Sequence, residues 1–264
     1  MRANHPGLIF ALLFVPAIAF AQVPNVAPGF TTLPKGAKVA IMPSDIELFS
    51  ISGGGVAEPR ADWTEAANRH FKAALEKKKQ ALALNTVEVS EKDADELAEL
   101  NALHAAVARA IATHHFGPPS LHLPTKDGKL DWSLGESVQA IKKATGADYA
   151  LFSWVRDSYL SAERQAAMAA VAVLSLGRVV AVGGAQQTGY ASLVDLDTGR
   201  VLWFNRLQRG TGDLREADKA AETLEVLLDK FPVAQQPGAK ASAPTSGRCP
   251  SGFTIMECRA RGYQ

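Results

Sequence analysis

Four times along this chain an N-cap residue is followed three positions later by Asp or Glu, and each time an apolar stripe at helical spacing comes next. The pairs are Asp62 with Glu65, Ser90 with Asp93, Ser133 with Glu136, and Asp213 with Glu216. Such a pair satisfies the amide donors that the start of a helix leaves open. The stripes run Trp63, Ala67, Phe71, Ala74 and Leu75; Leu97, Leu100, Leu103, Val107 and Ile111; Leu134, Val138 and Ile141; and Ala217, Ala220, Leu224, Leu227, Leu228 and Phe231. Each helix therefore has one face to bury and one to wet, and all four need something flat to pack on. Lys77 to Lys79 close the first helix with cations where the macrodipole is negative, Gly117-Pro118-Pro119 ends the second, Gly146 the third and Pro232 the fourth.

The flat partner is a sheet. Ala37 to Met42, between Gly36 and Pro43, suits a buried strand, and Thr86 to Val89 alternates at period two. Asp148 to Val155 is apolar almost throughout, the pattern of a central strand covered on both faces. Tyr190 to Leu196 and Val201 to Leu207 flank the turn Asp197-Thr198-Gly199-Arg200 and read as an antiparallel hairpin. Pro43 to Arg60, with Gly53-Gly54-Gly55, reads as loop. The order predicts one α/β (α+β) domain over residues 37–232: a mixed sheet of about five strands, antiparallel at its edge, with four to five helices packed on it.

The ends read differently. Residues 1–21 have Arg2, an apolar run from Leu8 to Phe20 and Ala19-Phe20-Ala21 before Gln22, the pattern of a signal peptide cleaved after Ala21. A periplasmic or secreted location follows as an expectation. Residues 22–36 form an extended lead, 233–248 a flexible linker rich in Pro, Gly, Ala, Ser, Thr and Gln, and 249–264 a tail. The chain's two cysteines, Cys249 and Cys258, lie in that tail, too far apart for a C-x-x-C motif, and an oxidising compartment would join them in a disulfide. Lys and Arg number 28 against 27 Asp and Glu, and loss of Arg2 with the leader would balance them. That neutrality lacks the electrostatic footprint of a nucleic-acid binder.

Three stretches together resemble a known family: Lys38 to Pro43, Ala144 to Phe152 and Ala191 to Trp203. They are similar to the α/β domain shared by the TolB N-terminal region, the curli secretion protein CsgG and the penicillin-binding-protein activator LpoB, over about residues 37–231. The resemblance implies a non-enzymatic periplasmic domain that binds another envelope protein or assembles with itself. This chain has no cysteine just after its apolar run, where CsgG and LpoB carry a lipid, so anchoring is not carried over.

Catalytic signatures are sparse. Gly53-Gly54-Gly55 lacks both a phosphate-loop ending and a dinucleotide fingerprint, and no Gly-x-Ser-x-Gly occurs. His104, His114, His115 and His122 invite a metal reading. A rise of about 1.5 Å per residue puts His104 and His115 about 16 Å apart, and neighbours on a helix diverge, so no metal or cofactor is assigned. Glu91, Asp93, Asp95, Glu96 and Glu99 crowd a helix start, where negative charge is stabilised. A cell-envelope hydrolase and a metal-binding protein remain the competing classes.

The oddest segment is an insertion over 158–187, whose core from Ala166 to Gly184 carries a single charge, Arg178. An arginine near mid-span and a run rich in Ala and Gly disfavour a bilayer-spanning helix. Three readings stay open: a helix from about Ser161 to Leu176 buried on its own sheet, a self-association surface of small residues, or a hairpin making peripheral membrane or partner contact through 166–184. The interface candidates are Met168, Val171, Val173, Leu174, Leu176, Val179 and Val180, with Arg156 and Asp157 at the root to orient them. The expected function is a non-catalytic accessory or assembly protein that binds an envelope protein or a second copy of itself.

Overall fold

The computed structural model of the chain describes residues 24–176 and 185–233. Its centre is β5 (Tyr149–Leu160), the apolar strand read from the sequence as far as Val155; it runs on through Ser158 to Leu160 of the expected insertion. On one edge of β5 lie two strands end to end, β1 (Lys38–Ile41) and β2 (Asp45–Ile51). Val39 to Ile41 pair in parallel with Tyr149 to Leu151, and Asp45 to Ile51 with Trp154 to Leu160. Pro43 and Ser44 form the step between them. On the other edge β6 (Gln187–Asp195) runs antiparallel to Tyr149–Asp157, and β7 (Val201–Arg209) completes the hairpin. Outside the β1–β2 line, β4 (Asn85–Glu88) pairs parallel with β1 and β3 (Ala57–Pro59) antiparallel with β2. The sheet is mixed, as the α+β reading requires, and seven-stranded where about five strands were expected, β2 and β3 being the additions.

Six α-helices join it among the described residues: α1 (Ala61–Ala81), α2 (Glu91–Glu96), α3 (Ala98–His114), α4 (Gln139–Thr145), α5 (Ala162–Leu174) and α6 (Ala217–Leu227). The alternation of β5 splits the core in two. Leu151, Val155 and Tyr159 face α1 and α6, with Phe71, Leu224 and Trp203 in the same cluster. Ala150 and Phe152 face α3 and α4, with Met42, Ile111, Ile141 and Phe204. The hairpin turn is held by Asp195, whose Oδ1 accepts from the Asp197 and Thr198 amides at 2.9 and 2.8 Å. Gly199 has φ +71°, and a Cβ there would sit 2.2 Å from the Gly135 carbonyl oxygen, so only glycine fits. Residues 24–36, the extended lead, pack on the body: Val26 bridges to Trp203, and Ala27 and Leu33 are buried.

Several local expectations are corrected. Pro43 to Arg60 is not loop; it holds β2 and β3, with Gly53–Gly55 between them. Asp45 to Ile51 alternates in burial, but its outward positions include Phe49 and Ile51, which blur the polar-apolar signal. Only the second capping box forms: Ser90 Oγ accepts from the Asp93 amide at 3.2 Å. The helix this box starts breaks at Leu97 into α2 and α3. α1 starts ahead of Asp62, which pairs with Arg60 instead. Ser133 accepts from Gly135, and the chain turns through a 3-10 segment, Glu136–Val138, before α4. Asp213 accepts from the Arg215 amide and guanidinium, and α6 begins at Ala217 without a side-chain cap. In each case a nearby partner took the capping oxygen.

Candidate functional site

The insertion leaves the sheet at one end, where β5 runs on to Leu160 and β6 begins at Gln187. Its base is closed by Ser158 and Gln186, which exchange three hydrogen bonds of 3.0 to 3.1 Å. Between them α5 forms. Ser161 caps it, its Oγ accepting from the Arg164 amide at 3.2 Å, and the Ser161 amide donates to the Ile51 carbonyl at 2.9 Å. Arg164 reaches back to the Gly53 carbonyl at 3.3 Å, so the glycine turn between β2 and β3 serves as a seat for the first turn of α5.

Beyond that turn the helix stands mostly exposed. No residue of α5 is buried, which overturns the reading in which this helix packs on its own sheet. Val173, Leu174 and Leu176 are 74%, 84% and 83% exposed, Val171 is also exposed, and Met168 is half-buried. Val179 and Val180 lie outside the described residues, as do Cys249, Cys258, residues 1–21 and most of the linker. Among the described residues no helix is long and apolar enough to cross a membrane.

Arg156 and Asp157, adjacent in sequence, point to opposite faces. Arg156 lies sideways over β2: its guanidinium contacts Asp45 Oδ1 at 2.8 Å and Glu47 Oε2 at 3.3 Å and stacks 4.6 Å from the Trp154 ring. Asp157, 2% exposed, faces inward. Its Oδ2 accepts from Gln187 Nε2 at 2.7 Å and from the Tyr159 hydroxyl, and the Leu214 amide lies 3.4 Å away. Gln187 Oε1 in turn accepts from Thr223 Oγ1 at 3.1 Å and Arg209 Nε at 2.9 Å. The two limbs of the insertion are thus tied to each other and to α6. Burial pushes the Asp157 carboxyl above the usual range, a rise that the donors around it offset in part and Asp213 adds to. Burial, with the Asp157 charge beside it, also raises the Tyr159 hydroxyl. Asp157 was readable only as a charged residue at the root of the insertion, past the end of the expected strand, whereas Gln187, Arg209 and Thr223 carry no sequence signal because only folding brings them there.

The histidines disperse. His104 Nε2 pairs with Ser192 Oγ at 2.8 Å, and its ring stacks 4.6 Å from Phe152. His114, His115 and His122 each meet a different backbone carbonyl, those of Leu121, Pro24 and Gly117, at 2.8 to 2.9 Å. No group of three or more His, Cys, Asp or Glu among the described residues could share a metal ion.

No family model and no curated protein matches the sequence. Among solved structures, the PelC dodecamer from Paraburkholderia phytofirmans aligns with 77% of this chain and 93% of its own at 14% identity and a TM-score of 0.31. The LpoB C-terminal domain from Escherichia coli aligns with 70% and 88% at 14% identity and a TM-score of 0.27. Lipoprotein GNA1162 from Neisseria meningitidis aligns with 71% and 90% at 12% identity and a TM-score of 0.27. LpoB is one of the three proteins that the sequence motifs resemble, and at these values what the aligned proteins bind or assemble into stays theirs.

Proposed function

We propose that this chain is an exported, non-catalytic accessory or assembly protein of the cell envelope that holds a protein partner, or a second copy of itself, through α5 and the residues that follow it. The observation that carries this reading is the exposure of Val173, Leu174 and Leu176 on a helix with no buried residue. Apolar side chains clustered on a protrusion of a folded protein mark an interface more often than an accident of surface composition. The root supports it: a projecting element transmits a grip only if its base is rigid, and Asp157, Gln187, Ser158 and Gln186 fasten both limbs. Val179 and Val180 extend the same apolar run in sequence and belong to the proposal, as do a cleaved leader and a Cys249–Cys258 disulfide in the tail.

The test is the double variant Val173→Asp, Leu174→Asp. Both positions are exposed, so circular dichroism and the melting temperature should hold, with a change in stability within about 0.5 kcal/mol. Self-association in sedimentation, or crosslinking to a protein in intact cells, should be lost. A variant that assembles and crosslinks like the parent overturns the reading, and so does one that unfolds, since that would make α5 part of the core.

A further inference from the structure

The edge of the sheet carries a notch. β4 stops at Glu88 and β3 pairs only with the far end of β2, so the step at Pro43–Ser44 has no strand beside it. α1 lies on one face there and the α2–α3 segment on the other, so the carboxyl ends of the parallel strands β1 and β4 open between them. That is the place where open α/β sheets take ligands. A pocket of about 360 Å³ fills the notch, within the range of small-molecule sites.

Its walls are apolar below and charged above. Ile41, Met42, Leu75 and Val89 line the interior. At the mouth stand Arg69 and Lys72, then Glu76, spaced three and seven along one stripe of α1, with Glu88 across from them. From Lys72 to Glu76 is about 6 Å along the helix axis, so the sign of charge reverses over a single turn. Lys79 is buried, donating to Glu76 Oε1 at 2.7 Å and Glu88 Oε1 at 2.9 Å, which holds the two carboxylates together and leaves each a second oxygen. Arg69 pairs with Glu65 on the outside, whereas Lys72 makes no ion pair within 4 Å among the described residues. A lining that joins a lysine without an ion pair, two carboxylates and several apolar residues matches a ligand with both charges and an apolar side chain.

We infer that this notch binds a small zwitterion of that kind, an apolar amino acid or a short apolar peptide. Lys72 takes the carboxylate, Glu76 and Glu88 take the ammonium, and the side chain enters between Leu75 and Val89. This inference is independent of the docking role of α5.

The probes are leucine, leucyl-leucine, N-acetyl-leucine and leucinamide, titrated into the full chain while the methyl resonances of Ile41, Leu75 and Val89 are followed. Leucine or the dipeptide should shift those methyls in a saturable way, and whichever binds tighter identifies the source. N-acetyl-leucine and leucinamide, each lacking one charge, should bind roughly tenfold more weakly, as loss of one charge-assisted hydrogen bond predicts. Lys72→Ala, at an exposed position, should abolish the difference between leucine and leucinamide while keeping that between leucine and its acetyl form. The inference is overturned if neither zwitterion moves the methyls at millimolar concentration, if the blocked compounds bind equally well, or if Lys72→Ala preserves the full discrimination.

Discussion

His104 and Asp157 are both 2% exposed, and burial acts on them in opposite directions on the pH scale. Burial favours the neutral form of each, which lowers the imidazole to about 3 and raises the carboxyl. Unfolded, an imidazole takes its proton near pH 6.5. From about 6.5 down to about 3 the unfolded chain therefore binds a proton that the native one refuses, and stability falls with pH by at most about 1.4 kcal/mol per unit. Below about 3 this group costs nothing more. Asp157 contributes with the other sign: the native chain holds its proton longer, so stability is lost as pH rises from the ordinary carboxylate value through the raised one. His104→Gln should flatten the acid-side slope of unfolding free energy, measured by urea titration at a series of pH values, and equal slopes in parent and variant would clear the imidazole of the effect. The sequence showed His104 on a helix beside other histidines and invited a metal. Its real partners, Ser192 and Phe152, arrive from strands far along the chain, which no spacing rule could foresee.

At the scale of elements, α5 is the helix whose existence owes least to packing. A free helix of 13 residues is marginal in water. What holds this one is the Ser161 cap and the Arg164 contact with Gly53. Ser161→Ala should therefore cost about 1 kcal/mol of local helix stability. Amide exchange should accelerate across Ala162–Leu174 while the global melting temperature stays put, and unchanged exchange there would show that the cap is idle. Most helices and strands were legible because a period of 3.6 or 2 survives in their residues. What was not legible is instructive. β2 was missed because Phe49 and Ile51 sit on its open side, and three capping boxes failed because Arg60, Gly135 and Arg215 offered closer partners than the helix amides.

For the whole molecule, β1, β5, β6 and β7 each feed both halves of the core, Leu151 of β5 belonging to one cluster and Phe152 to the other. A deletion on either side should therefore be felt as one cooperative event. Leu151→Ala should cost about 2 to 5 kcal/mol and Phe152→Ala about 3 to 5 kcal/mol, each lowering a single thermal transition. Two separated transitions in calorimetry would mean that the faces unfold independently. The linear order of residues determined that this chain is α+β, that Tyr149 to Val155 is central, that Tyr190 to Leu196 and Val201 to Leu207 form a hairpin, and that a nearly uncharged segment precedes it, since periodicity and turn chemistry act over a few neighbours. Only the tertiary structure decided whether α5 is core or projection, which donors surround Asp157, and that a notch opens beside Pro43. Burial, desolvation and cavities are properties of surfaces that meet across long separations in the chain, and local pattern carries no information about which surfaces those are.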